Sequence, residues 1–172
     1  MQKLSKMPEK EVFFEADVAV HRLKVNEFCA AAGMEIISRG AKHDESKLTQ
    51  QEREFYIEPV WDLNHSPQPF GSPEYKAQTA KMGVGWKNHY THNDHHLEFF
   101  IDKGGSPWEH VNMFQLIEML CDWKAAALRK GNDPLEAIEQ LKKKFRIDPQ
   151  MEALLRNTFK RIDEITKEDA KT

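Results

Sequence analysis

Apolar residues recur at helical spacing from Glu11 to about Arg39, where Phe14, Val18, Val25 and Phe28 form one stripe, Gly33 a weak point and Gly40 a stop. A second helix is predicted over about Ser46 to Ile57, ended by Pro59. The stretch DLNHSPQPFGSPEY, rich in proline and glycine, reads as an irregular loop. Together with Trp61 before it, it gathers Trp61, His65, Phe70 and Tyr75, which suits a lid. Ser72 and Pro73 form a helix start, and the pattern continues to about Ile101, with Gly83 and Gly85 as points of bending or breakage. Ser106-Pro107 opens the next helix, WEHVNMFQLIEMLCDWKAAALRK, closed by Gly131. Two more helices follow, about Asp133 to Phe145 and Pro149 to Thr166, each with an Asp-Pro start.

No strand alternation, repeat or low-complexity tract interrupts this pattern, so the fold class is all-α: a single-domain bundle of about six helices. The whole chain, residues 1–172, reads as one domain. Its core spans about 11–130, a C-terminal helical pair about 133–166, and a polar tail 167–172.

Composition narrows the partners. A formal charge of −3 provides no global basic field, so nucleic acid is not favoured. No run of about 18 apolar residues is present and the charged start MQKLSKMPEK lacks a signal-peptide core, so the expectation is a cytoplasmic protein with no membrane segment. Cys29 and Cys121 sit among apolar helical neighbours and read as reduced core thiols. Oligomeric state is left open.

The chemistry concentrates in HYTHNDHH, residues 89–96, which holds His89, His92, His95 and His96, four of the eight histidines in the chain. On a continuous helix His89, Asn93 and His96 share one face, while His92 and His95 lie on an adjoining one. At most two or three of the four then converge on a point, and other ligands must come from elsewhere. His21 lies within the first apolar stripe and points inward, with Asp17 one turn before it. His43-Asp44 opens KHDESK, and Asp122 is the lone carboxylate between Cys121 and Trp123 in an apolar helix, with Glu118 one turn earlier as an acceptor for a histidine proton. His92, His65 and His110 read as surface, and Trp86, Trp108 and Trp123 as core.

The order His21, His43-Asp44, the histidines of GWKNHYTHNDHHLE and then Asp122 resembles the H...HD...D signature of the HD-domain superfamily of metal-dependent phosphohydrolases. The added middle histidines look like the HD-GYP branch, whose HD-x-x-K corresponds to His43, Asp44 and Lys47 and whose HHE resembles His95-His96 followed one residue late by Glu98. The GYP tripeptide itself is absent. From about His21 to Trp123 the chain also resembles an uncharacterised bacterial and phage family built around HD-x-S-K, W-x-x-H-x-x-x-N-x-H-H-x-E and E-M-x-x-D-W.

The superfamily resemblance implies an HD-like helical core in which His21, His43, Asp44 and Asp122 hold a first divalent metal. His89 with His95 or His96 would hold a second, bridged through Asp44. Two such ions would bind a phosphoryl oxygen and supply a nucleophile at neutral pH, with Asp44 in the catalytic centre and Lys47 contacting a substrate phosphate. A histidine-rich shell favours iron, manganese or zinc over magnesium. The expected activity is hydrolysis of a small-molecule phosphate ester, a nucleotide foremost. The alternatives are a di-iron oxygenase on the same ligands and a non-catalytic helical interaction module with a structural metal.

Overall fold

The computed structural model describes residues 9–69, 72–130, 133 and 135–168, and every regular element among them is helical. The α-helices are α1 (Glu9–Lys42), α2 (Gln50–His65), α3 (Pro73–Ala80), α4 (Gly83–His92), α5 (Met113–Lys130), α6 (Glu136–Lys144) and α7 (Pro149–Glu168). Three 3-10 helices, Glu45–Leu48, Leu97–Lys103 and Pro107–Glu109, lie between them. The N-terminal residues 1–8, Phe70 of the aromatic loop, Gly131, Pro134 and residues 169–172 of the polar tail lie outside the described residues. No helix among the described residues is long and apolar enough to cross a membrane.

Two compact units make up the chain, Met1–Ala41 and Lys42–Thr172. Within the first, α1 runs unbroken through both Gly33 and Gly40, neither of which meets a neighbour close enough to force a break. No residue of α1 is buried, and Phe14 is 66% exposed. The expectation that His21 faces inward is therefore corrected. Among the described residues the first unit has no second element to cover the stripe on which His21 lies, and the side chain is exposed.

In the second unit, a core of Leu97, Phe100, Leu116, Met119, Leu120, Ile138, Leu141, Leu155 and Phe159 joins the 3-10 helix 97–103 to α5, α6 and α7. At the heads of α3, α5 and α7, side chains satisfy otherwise orphaned backbone N–H groups. Ser72 accepts from Tyr75 N at 3.1 Å at the head of α3, and Asp148 Oδ1 accepts from Gln150 N and Met151 N at the head of α7. The head of α5 differs from expectation. Ser106-Pro107 begins only a three-residue 3-10 turn, and α5 starts after Asn112, whose Oδ1 accepts from Phe114 N while Gln115 Oε1 accepts from Asn112 N, a reciprocal capping box.

The second helix also departs from its predicted limits. Ser46 lies in a 3-10 helix, and α2 carries buried Pro59 inside it and continues to His65. Trp61 and His65 therefore stack on one helix, with ring centroids 3.7 Å apart, instead of belonging to a loop. Cys29 and Cys121 are free thiols, but exposed ones rather than core residues.

The crossing of α2 and α4 sets the position of the histidines that follow. A Cβ at buried Gly85 would stand 2.7 Å from Phe55 Cβ and 3.3 Å from the Tyr56 ring. Phe55 Cβ is tied to its backbone and cannot swing away, so glycine is needed here for close approach. Gly85→Ala is expected to destabilise the protein by about 1–3 kcal/mol through overpacking. His89 lies one turn further along α4, so the same change should also shift that ring; a thermal melt reads the loss of stability.

Candidate metal centre

The decisive local event is the end of α4. Continuation of the helix through residue 101 is not observed: α4 stops at His92, Asn93 is extended (φ −111°, ψ 116°), and so is His96 (φ −110°, ψ 135°). His89 O accepts there both the last helical bond, from Asn93 N at 3.0 Å, and a bond from the Asn93 side-chain amide at 2.8 Å, so the side chain caps the end of α4. Its second bond, to Ser46 Oγ at 3.0 Å, ties the turn to the start of the 3-10 helix 45–48. On the other side, Gln115 Nε2 donates to Asp94 Oδ2 at 2.7 Å, and Leu97 is buried in the core.

The turn brings together what helical spacing would have separated. Ring centroids of His95 and His96 lie 4.3 Å apart, His89 and His96 4.9 Å, His89 and His95 5.5 Å, and His43 and His95 4.4 Å. His89, His95 and His96 form one group whose ligand atoms lie within 4.8 Å of one another, and His43, Asp44 and His95 form another. Asp94, His95 and Glu118 form a third. The expectation that His95 lies on a face adjoining that of His89 and His96 is thereby corrected, whereas His92 is exposed, as are His65 and His110.

Carboxylates behind the ring orient the imidazoles. Glu52, only 1% exposed, accepts from Asn88 Nδ2 at 2.8 Å, Ser46 Oγ at 3.1 Å and His89 Nδ1 at 3.1 Å. Glu118 Oε1 accepts from His43 Nδ1 at 2.9 Å and lies 3.2 Å from His95 Nδ1, so one oxygen steers two rings. On a neutral ring such as His95, a proton held at Nδ1 in this way leaves Nε2 as the lone pair aimed inward, the arrangement by which carboxylates position metal-binding histidines.

Asp44 sits where those lone pairs aim. It is the one non-glycine residue with positive φ among the described residues (φ 61°, ψ 11°), in the left-handed region that aspartate tolerates better than most side chains. Its Oδ1 faces His89 Nε2 at 3.1 Å and His95 Nε2 at 3.7 Å; its Oδ2 faces Lys47 Nζ at 2.5 Å and His43 Nε2 at 3.6 Å. His43 Nε2 also lies 3.4 Å from Asp122 Oδ1. The polar stripe Gln115, Glu118 and Asp122 on α5 thus turns toward the cluster while Leu116, Met119 and Leu120 face the core.

Electrostatics follow from this packing. Burial works against ionisation of Asp44, but the facing His89 and the Lys47 ammonium hold its carboxyl well below the usual carboxylate range. The hydrogen bond to Asp122 pushes His43 up to about 9, against the opposite pull of burial. Burial lowers His95, and lowers His96 to about 2, so both are neutral imidazoles near neutral pH.

The donor set fits a divalent transition metal. Asp44 Oδ1 and the Nε2 atoms of His89, His95 and His96 are buried and make no hydrogen bond, a costly arrangement unless something else satisfies them. Of the residues anticipated from the sequence, His43, Asp44, Lys47, His89, His95, His96 and Asp122 come together in the second unit; His21 belongs to the other unit, exposed on α1. Glu52 and Asn88 were not anticipated; Ser46 entered only as a helix limit and a letter of the family pattern, and Asn93 only as a letter of that pattern and a neighbour on the His89 face. Their signal, a buried carboxylate surrounded by donors, exists only in the folded state.

No curated protein and no solved structure matches the chain. A family model does match, over residues 10–161, a span that includes every residue of the cluster. The chain belongs to that family, a family of unknown function (DUF5662).

Proposed function

We propose that the cluster holds one or two divalent ions and that the protein is an HD-type metal-dependent phosphohydrolase, releasing phosphate from a phosphate ester of the nucleotide class. The observation that carries this reading is the set of buried, unbonded Nε2 atoms of His89, His95 and His96 beside Asp44 Oδ1. The order of His43-Asp44, the middle histidines and Asp122 along the chain supports it through the HD resemblance. Imidazole nitrogen with carboxylate oxygen favours iron, manganese or zinc over magnesium. Such ions, when bound, polarise a phosphoryl oxygen and lower the pKa of water.

The chain's own residues prepare the site for that chemistry. Asp44 lies between the His43–Asp122 pair and the His89–His95 pair, and can serve both groups of ligands. Glu52 and Glu118 hold the rings in register. Lys47, with its ammonium on Asp44 Oδ2 and 5.6 Å over the Tyr56 ring, is the cation nearest to hand for a phosphate oxygen. His21 stays in the proposed ligand set by the resemblance alone.

The test is elemental analysis of the purified protein beside His43→Ala and Asp122→Ala, followed by phosphate release from a nucleotide panel with added Mn(II), Fe(II) or Zn(II). Bound metal in the parent protein, its loss in both variants and metal-dependent phosphate release are the expected results. Silence across the panel with metal fully bound would overturn the hydrolase reading. Oxygen consumption by the Fe(II) form would point to the di-iron oxygenase, and a metal whose removal lowers only the melting temperature to a structural ion in an interaction module.

A further inference from the structure

Next to the cluster, the second unit contains a cleft of about 350 Å³ between α4, α5 and α6, with His96 and Asp122 in its wall. A volume of this order is at the small end of ligand sites and suits one compact molecule. Leu97, Met119 and Leu141, all buried, form its apolar floor, and Tyr90, Trp123 and Phe145 add three aromatic rings. Exposed Asp133, Glu136 and Gln140 make the outer rim.

The charges of this cleft are lopsided. Among the described residues of the wall, the carboxylates of Glu98, Asp122, Asp133 and Glu136 are accompanied by a single lysine, Lys144. That lysine is already committed: its Nζ bonds Glu98 Oε1 and lies 5.7 Å over both the Tyr90 and Phe145 rings. A second phosphate entering here would meet like charge and no spare cation. An uncharged aromatic group would instead gain stacking surface, and amino groups on it would find carboxylate acceptors at the rim.

We infer that this cleft holds the alcohol side of the ester, an uncharged aromatic group with amino donors of the nucleoside kind, so that the substrate is a monophosphate ester and not a di- or triphosphate. The inference rests on the phosphohydrolase reading, with the phosphate placed at the His96 and Asp122 end.

Two readouts test it. In the first, adenosine is titrated into the metal-free protein while the indole N–H resonance of Trp123 is followed, assigned with Trp123→Phe. Adenosine should shift that resonance in a saturable way, and Trp123→Ala, which lacks the indole and is followed by titration calorimetry beside the parent protein, should weaken binding by about tenfold or more, the worth of one stacked base. In the second, kcat/KM of the metal-loaded protein is compared for AMP, ADP and ATP. AMP should be preferred by at least about tenfold, and Glu136→Lys, an exposed change that leaves the cluster untouched, should narrow the ratio.

A Trp123 resonance unmoved by adenosine, or ADP and ATP turned over as well as AMP, overturns the inference. The two failures are distinct. Phosphate release without any response at Trp123 removes the cleft assignment and leaves the hydrolase; saturable adenosine binding with no phosphate released from any nucleotide leaves the cleft and removes the hydrolase.

Discussion

Under the proposed phosphohydrolase reading, Asp44→Asn is expected to leave the fold standing while abolishing metal retention and lowering phosphate release by at least about 10³-fold, because the charge stabilisation that bound ions would supply is lost. The substitution is nearly isosteric, and asparagine tolerates the left-handed backbone of residue 44 (φ 61°). What it removes is charge. The carboxylate of Asp44 is the group that His89 Nε2 and His95 Nε2 face on one side and His43 Nε2 and Lys47 on the other. An amide presents at most one oxygen to these neighbours, uncharged, and would be a poorer ligand for a cation. Alanine at the same position confounds the experiment, since it adds a backbone cost of roughly 1–2 kcal/mol for the left-handed conformation. Metal content by elemental analysis, phosphate release and the melting temperature of the metal-free protein separate the two effects. An Asp44→Asn protein that retains its full complement of metal would remove Asp44 from the centre.

Glu52→Ala has the second largest expected effect, and it acts on stability and metal affinity together. The residue is 1% exposed, and its carboxylate satisfies Asn88 Nδ2, Ser46 Oγ and His89 Nδ1 at once. Truncation leaves buried His89 Nδ1 and the half-buried Ser46 and Asn88 donors without this acceptor, a loss of about 1–3 kcal/mol for the buried group and less for the other two. It also frees the His89 ring to rotate, and losing such an orienting carboxylate typically lowers metal affinity by about 10–100-fold. Glu52→Gln discriminates between the two contributions. It fills the space and keeps one acceptor oxygen, but its amide N–H groups oppose Asn88 or His89, so stability should recover more than affinity does. Chemical denaturation of the metal-free protein gives the first quantity and competition against a chelator the second. Unchanged affinity in both variants would show that Glu52 does not position His89.

The chemistry of the site was legible to different degrees at different residues. His43, Asp44 and Lys47 lie within five consecutive positions, where local turn geometry alone brings side chains together, and all three meet in the folded protein. Asp122 stood out as a lone carboxylate in an apolar helix, and Glu118 was anticipated as a histidine-proton acceptor, which is how its Oε1 is used. His89, His95 and His96 were recognisable as residues, but their arrangement was misjudged. Helical spacing separates His95 from the other two, but α4 ends at His92, and the turn that follows, held by Asn93 on Ser46 and His89 O and by Gln115 on Asp94, folds His95 and His96 back. Glu52 left no usable trace. Thr49-x-x-Glu52 has the form of a helix-start capping box, yet Thr49 makes no side-chain cap and Glu52 turns inward.

By itself the sequence determined the helical class, the approximate limits of most helices and the stock of imidazoles and carboxylates, because those follow from apolar periodicity and from residue chemistry that act over a few neighbouring positions. Tertiary structure alone decided where α4 ends, which rings converge and which nitrogen of each ring faces inward. Those outcomes rest on partners far away along the chain: Glu52 is 37 residues from His89, and Glu118 is 75 residues from His43. A hydrogen bond of that range exists only once packing has brought its two ends together, and it is the bond at Nδ1 that sets the lone pair at Nε2.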